Sequence, residues 1–286
     1  MSEALIGYGY LGQAYHEVFP EAVVYDEPKE LLLVNGEQQE FHLEAARAVV
    51  NACDMGIIAV PTDYTEDGEL DTSIVESVVD WLDTETILIK SALQPGTTDR
   101  LVEETGKNIA VSVEYIGEGK YYQPPEKYPH PTDPKRHQLL VVGGEEPART
   151  IAAERLWEQM SPDIRIHLVT ALEAEITKMA ENTYGALKVT WANVMRDVCD
   201  AYGVNFINVH QAWSEDGRVD PMHTRSVAHN RGWLSKCYSK DVPAFANVAG
   251  SAMLAGMIED NERHLAMNEV QHMVGARDET DKSDKK

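Results

Sequence analysis

The stretch that most constrains this chain is Gly7-Tyr8-Gly9-Tyr10-Leu11-Gly12, which directly follows the apolar run Ala4-Leu5-Ile6. Three glycines at this spacing, after a strand and ahead of a helix, demand a tight strand–turn–helix corner. The first glycine permits the turn, the second lets an anionic group approach the backbone, and the third lets helix and strand pack closely. The rest of the chain alternates as such a corner requires. Ala22–Asp26, Met55–Thr62, Thr86–Ser91, Ile109–Val113, Leu139–Gly143 and Ile166–Val169 read as apolar strands. Gln13–Val18, Glu44–Ala52, Ile74–Trp81 and Ala148–Met160 read as helices between them. This pattern predicts a doubly wound parallel sheet of Rossmann type, with its ligand at the carboxyl ends of the strands.

The second strand ends in Asp26, the place where an acid meets the ribose hydroxyls of a dinucleotide. With no Arg beside it, the expected cofactor is NAD rather than NADP. Gly7, Gly9, Tyr10, Leu11, Gly12 and Asp26 are the first cofactor-binding candidates. Thr62, Ser91 and Glu114 lie at later strand ends and point to one cleft built from several loops. The net charge of −23 argues against a nucleic-acid footprint. Three cysteines without CxxC spacing, and no signal peptide or long apolar run, predict a reduced cytoplasmic protein with no membrane span. The ten histidines fall in no ligand pattern, so no metal is expected.

Beyond the strands, Ala171–Tyr202 reads as one long helix ended by Gly203. Leu172, Ile176, Met179, Thr183, Leu187, Trp191, Val194, Met195, Val198 and Tyr202 recur at helical spacing and predict its buried stripe. Lys178 and Asn182 sit one turn apart off that stripe and share a face. Asn208–Trp213 and Ala252–Met267 continue helically, and residues 120–136 read as an irregular loop. The expected organisation is a cofactor domain over 1–170, a small helical domain over 171–274 that carries a cysteine loop, and a charged disordered tail over 275–286.

Six stretches in order, GYGYLG, IIAVPT, ILIKSALQPGTT, SVEYIGEGK, AEITKMAENTYGALKVTWANV and GWLSKCYSKD, resemble the nucleotide-sugar dehydrogenases. The resemblance implies four-electron oxidation of a sugar primary alcohol, of the UDP-glucose C6 kind, to a carboxylate with two NAD consumed. Such uronic-acid products feed polysaccharide synthesis. It implies Lys178 and Asn182 as the groups that stabilise an alkoxide, and Cys237 as the nucleophile that forms a thiohemiacetal and then a thioester. Lys236 and Lys240 beside Cys237 favour its thiolate. Asp241 and Glu114 match the carboxylates of the hydrolytic step. Pro61, Thr62, Ser91, Glu118 and Lys240 join the cofactor candidates. Glu114, Tyr115, Lys178, Asn182, Arg225, Arg231 and Gly232 are the substrate-binding candidates. A homodimer packed through the helical region is implied as well. Cys53 and Cys199, on apolar helical stretches, read as core residues.

Four departures mark the chain. Ala92 stands where the family has a threonine after Lys-Ser. Leu234 and Ser235 replace two glycines ahead of the cysteine. Met222 follows Asp220-Pro221 where an arginine is usual, with Arg225 and Arg231 close by. The family's third, carboxyl-terminal nucleotide-sugar domain is not expected. These departures keep two alternatives open. One is a two-electron dehydrogenase of a small hydroxy acid, like the 3-hydroxyisobutyrate and 6-phosphogluconate enzymes. The other is a dinucleotide-binding protein without catalysis.

Overall fold

The computed structural model describes residues 1–117, 132–227 and 229–283, with side chains up to 268. Two compact units emerge, Met1–Met179 and Ala180–Lys286. The division falls inside the long helix rather than at its start.

Among its described residues, the first unit has eleven strands: β1 (Glu3–Ile6), β2 (Val23–Asp26), β3 (Leu31–Val34), β4 (Glu37–Gln38), β5 (Met55–Ile58), β6 (Asp63–Tyr64), β7 (Leu70–Asp71), β8 (Thr86–Ile89), β9 (Ile109–Ser112), β10 (Leu139–Gly144) and β11 (Arg165–Val169). Among the described residues, nine form one sheet in the order β11-β10-β9-β8-β5-β1-β2-β3-β4, and β6 pairs with β7 separately. The five central strands are parallel. The parallel sheet expected from the sequence is therefore its centre. β10 runs antiparallel to β9, and a β2–β3–β4 meander closes the other edge. That meander turns at Asn35 (φ 50°) and Gly36 (φ 74°), a two-residue hairpin that needs positive φ at both positions.

Helices α1 (Tyr10–Val18), α2 (Leu43–Asn51), α3 (Ser73–Trp81), α4 (Thr97–Thr105) and α5 (Ala148–Gln159) cover the two faces. Successive residues of β1 show the double winding. Ala4 and Ile6 join one core with α2, α3 and α4, while Leu5 joins the other with α1 and α5. The chain order reverses on either side of β1, so the crevice outside β1 and β5 is the topological switch point.

Helix α6 (Ala171–Ala201) corrects the sequence reading. Leu172, Ile176, Trp191 and Val198 are exposed, as is Tyr202 just beyond it at 81%. Met179 and Thr183 are buried as the stripe predicts, and the rest of the buried face carries Ala171, Ala174, Glu175, Ala186, Thr190 and Asn193. Small residues win that face because the backbone approaches closely. A Cβ on Gly143 would stand 2.7 Å from the Ala174 methyl, and one on Gly185 would strike the Tyr238 hydroxyl.

In the second unit, α6 is followed by α7 (Phe206–Ser214), α8 (Tyr238–Ala249) and α9 (Ala252–Ser283). Helix α9 continues past Gly275, where the sequence suggests a disordered tail. Ala186, Trp233, Val242, Leu254 and Met257 form the core. Segment 231–233 lies along α9. Asn261 accepts from Trp233 N (2.7 Å) and donates to Trp233 O (3.0 Å), and Asn268 does the same for Arg231 (2.9 Å each). The Arg231 guanidinium reaches Asn193 Oδ1 (2.7 Å) and Asp197 (2.5 Å). Asp197 also accepts from Arg263 (3.0 Å) and faces His264 Nε2 (2.9 Å).

Burial alone would raise the Asp197 carboxyl, but bonds from Arg231, His264 and Arg263 outweigh it and hold it down to about 2. The folded value lies below the unfolded one, so this network stabilises fully above pH ~4 and its contribution drains away as pH falls through about 2. Asp197→Asn is expected to lower stability at neutral pH by ~2 kcal/mol, with the deficit closing near pH 2, as read from urea midpoints across pH. A deficit that does not change with pH would mean that the charge is not what stabilises the loop.

Candidate active site

The glycine corner closes as its sequence requires. Gly7 has φ 93°, and a Cβ there would meet Ala59 O at 2.6 Å; one on Gly12 would meet Gly7 O at 1.9 Å. Gly9 and Tyr10 are exposed at the turn, and Leu11 is half-buried. Asp26, 8% exposed, accepts from Tyr8 N (2.7 Å) and pairs with Lys29 (3.2 Å). The acid is thereby fixed at the mouth of a cavity of about 550 Å³ lined by Gly7, Tyr25, Asp26, Val60, Pro61 and Trp81, among others. A glycine turn open to an anion, a fixed carboxylate for ribose hydroxyls, and a flat apolar wall for a base are what the ADP half of a dinucleotide needs, so these residues fit the cofactor. Behind that wall, Arg47 lies over the Trp81 ring (4.8 Å) and bonds Glu27 (3.0 Å). Of the other cofactor candidates, Ser91 is buried with its hydroxyl on Val60 O (2.7 Å), and Thr62 is buried. Glu118, together with most of the 120–136 loop, lies outside the described residues.

A second cluster gathers at the carboxyl ends of β8 and β9. Lys90, absent from the sequence candidates, is 2% exposed and faces Glu114 Oε2 at 3.1 Å. Glu114 Oε1 accepts from Tyr115 N (2.7 Å) and Ile116 N (2.6 Å). Burial would raise the Glu114 carboxyl, but Lys90, His137, the Ile116 N–H and Lys178 together hold it below the ordinary range. Burial also pulls the Lys90 ammonium down, against the pull of Glu114. Glu114, which the resemblance matches to a carboxylate of the hydrolytic step, is buried here and paired with Lys90. Lys178 donates to the Glu114 carbonyl (2.5 Å), and Tyr115 stands edge-on to His137. Ala92 lines the same small cavity as Lys90, Ser91, Ser112, Glu114, Glu175 and Lys178.

In the second unit, Asn182 donates to Asp241 (2.5 Å), which is 1% exposed and paired with Lys240 (2.7 Å). Cys237 immediately precedes α8, half-exposed, at the helix end that favours an anion. Helix α8 escaped the sequence reading because Pro243 lies inside it. Ser235 starts it: its hydroxyl accepts from Tyr238 N (3.1 Å) and its carbonyl from Ser239 N (3.0 Å). Among the other substrate candidates, Arg225 is exposed. Arg231 is buried and fully engaged with Asn193 and Asp197, so its charge holds the loop instead of reaching outward. Gly232 has φ 78°, and a Cβ there would meet Asn261 Oδ1 at 2.8 Å; its glycine is needed for packing. Among the described residues, no group of His, Cys, Asp and Glu is arranged to hold a metal, and no helix is long and apolar enough to cross a membrane.

Comparison with known proteins agrees with this geometry. Residues 21–161 match the NAD binding domain of the UDP-glucose/GDP-mannose dehydrogenase family, and residues 172–264 match its central domain. UDP-glucose 6-dehydrogenase of Pseudomonas aeruginosa is 27% identical over 87% of this chain, which spans 61% of that protein's length. The fold matches a UDP-glucose dehydrogenase from Pyrobaculum islandicum (TM-score 0.72, 23% identity, 92% of this chain and 68% of that one). It also matches a UDP-D-ManNAc dehydrogenase from Pyrococcus horikoshii (TM-score 0.73, 21% identity, 93% and 69%). Matched across residues 21–161 and 172–264, the chain belongs to the UDP-glucose/GDP-mannose dehydrogenase family, with NAD as its cofactor.

Proposed function

We propose that this protein oxidises the primary alcohol of a nucleotide-linked sugar to the carboxylate, using two NAD and a covalent bond to Cys237. The observation that carries this reading is the joining of Asn182, Asp241 and Lys240 beside a half-exposed Cys237 at the start of α8. A two-electron alcohol oxidation needs no thiol. A second oxidation does.

NAD, when bound, supplies the hydride acceptor. The alcohol loses a proton and a hydride to become an aldehyde, while Lys178 stabilises the negative oxygen. The Cys237 thiolate then adds to the aldehyde carbon, and the adduct loses a second hydride to give a thioester. Water cleaves the C–S bond, releasing the acid and returning the thiol. In sum, alcohol, water and two NAD⁺ become carboxylate, two NADH and three protons. Asp241, buried and bonded to both Asn182 and Lys240, orients these two side chains rather than meeting water itself.

A homodimer is part of the reading. Tyr184, Trp191, Val198, Tyr202 and Ile207 expose a run of apolar surface along α6 and the start of α7. A second copy of the same face suits it, since an isologous contact buries such a stripe on both partners.

The stoichiometry of NADH decides the chemistry. With UDP- and GDP-sugars and small hydroxy acids offered in turn, two NADH per sugar consumed is the expected result. One NADH per molecule of a small hydroxy acid would sink the reading. Cys237→Ser is expected to block acid formation while leaving the NAD dissociation constant within about twofold, as titrated by protein fluorescence. Acid formed at an unchanged rate would remove Cys237 from the mechanism. Trp191→Glu is expected to shift the sedimenting species from dimer to monomer at micromolar concentration; a dimer that persists would move the interface elsewhere.

A further inference from the structure

Lys90 stands just past β8, buried, with no outlet to solvent that would pay for its charge. What compensates it lies on one segment. Nζ donates to Ser112 Oγ and Val113 O (3.1 Å each), and faces Glu114 Oε2 at the same distance. The Tyr15 ring lies under it at 4.9 Å. The other oxygen of Glu114 holds the N–H groups of Tyr115 and Ile116. Backbone 112–116 is therefore clamped by one ion pair. The carbonyl in the middle of that clamp, Glu114 O, receives the ammonium of Lys178. Two lysines thus meet one glutamate from two sides, Lys90 at its carboxylate and Lys178 at its carbonyl.

We propose that Lys90 is a positioning residue for the oxidation step: its buried ammonium, acting through Glu114, fixes the carbonyl that holds Lys178. The rate effect rests on the reading of Lys178 as the cation beside the reacting oxygen; the structural effect does not. Lys90 touches no reacting atom, so its influence passes through geometry. Displacing a catalytic group by about 1 Å lowers rates up to ~100-fold. Substituting the lysine also leaves the buried Glu114 carboxylate without its ion-pair partner, which loosens the segment that both groups share. Tyr15, Tyr115, His137 and Glu175 are further titratable groups at this cluster.

The test uses Lys90→Met, which keeps the stem and drops the charge, and begins on the protein without substrate. Brief labelling with acetic anhydride, read at each lysine by peptide mass spectrometry, is expected to modify Lys178 several-fold faster than in the parent, with Lys188 unchanged. In turnover, kcat is expected to fall ~10- to 100-fold with KM for NAD within about twofold, and Lys90→Met/Lys178→Met is expected to be no slower than Lys178→Met. Unchanged Lys178 labelling in folded Lys90→Met overturns the proposal. So does unchanged kcat where Lys178→Met is inactive. Full turnover by Lys178→Met would overturn the role of Lys178 and the rate effect, leaving labelling to decide the clamp. Should Lys90→Met fail to fold, Glu114→Gln removes the opposing charge while keeping the two N–H contacts. Faster Lys178 labelling in that variant supports the clamp, and unchanged labelling overturns it.

Discussion

The first unit depends on a carboxylate that never reaches solvent. Glu175 accepts from Gly96 N (2.6 Å), Thr98 N (2.8 Å) and Thr98 Oγ1 (2.7 Å), capping α4 from the side of α6. Burial pushes its carboxyl up, and these three donors oppose the push. The helix dipole of α4 adds to the compensation, because an anion is favoured at an N-terminus. Ala171 and Ala174 complete the docking by filling the space that Gly143 leaves open. With the first turns of α6 fixed in this way, Lys178 follows three residues later on a set bearing. Its contact with the Glu114 carbonyl is then a consequence of two buried charges, Glu175 on one side and the Lys90–Glu114 pair on the other.

Much of this was legible in the sequence. Glycine spacing, alternation of strands with helices, and an acid closing the second strand are local signals, and local geometry enforces them. The Gly7 and Gly12 positions admit no Cβ, which is why the motif reads so directly. The hairpin at Asn35-Gly36 carries an equally plain local signal, since this pair favours positive φ at both positions. Helix α6 failed for a different reason. Hydrophobic periodicity finds the bulky face, and that face is buried only when something covers it. Here close backbone contact selects Ala, Gly and Thr for the inner side, so size rather than hydropathy marks the core. Lys90 was invisible because a lysine after a strand normally reads as surface; only the placement of Glu114 by a separate strand reveals its partner. Arg231 shows the converse. A cation near the candidate site reads as a substrate-binding residue, whereas Asp197 of α6 holds it.

The departures around the cysteine are best weighed by what each backbone position tolerates. Gly232 keeps a positive φ and packs against Asn261, so no other residue fits there. Leu234 is 78% exposed, and its side chain crowds nothing on its own unit. Ser235 does more than fit. Its hydroxyl and carbonyl take the first free N–H groups of α8, which anchors the start of that helix. Cys237 therefore sits on a capped, ordered turn, followed at once by the Lys240–Asp241–Asn182 bonds. A glycine pair would give more room to a ligand but a looser helix start, since glycine costs more entropy to fix. Substrate choice in this chain is expected to follow Leu234 and Ser235, the two positions that depart from the family's glycines ahead of Cys237.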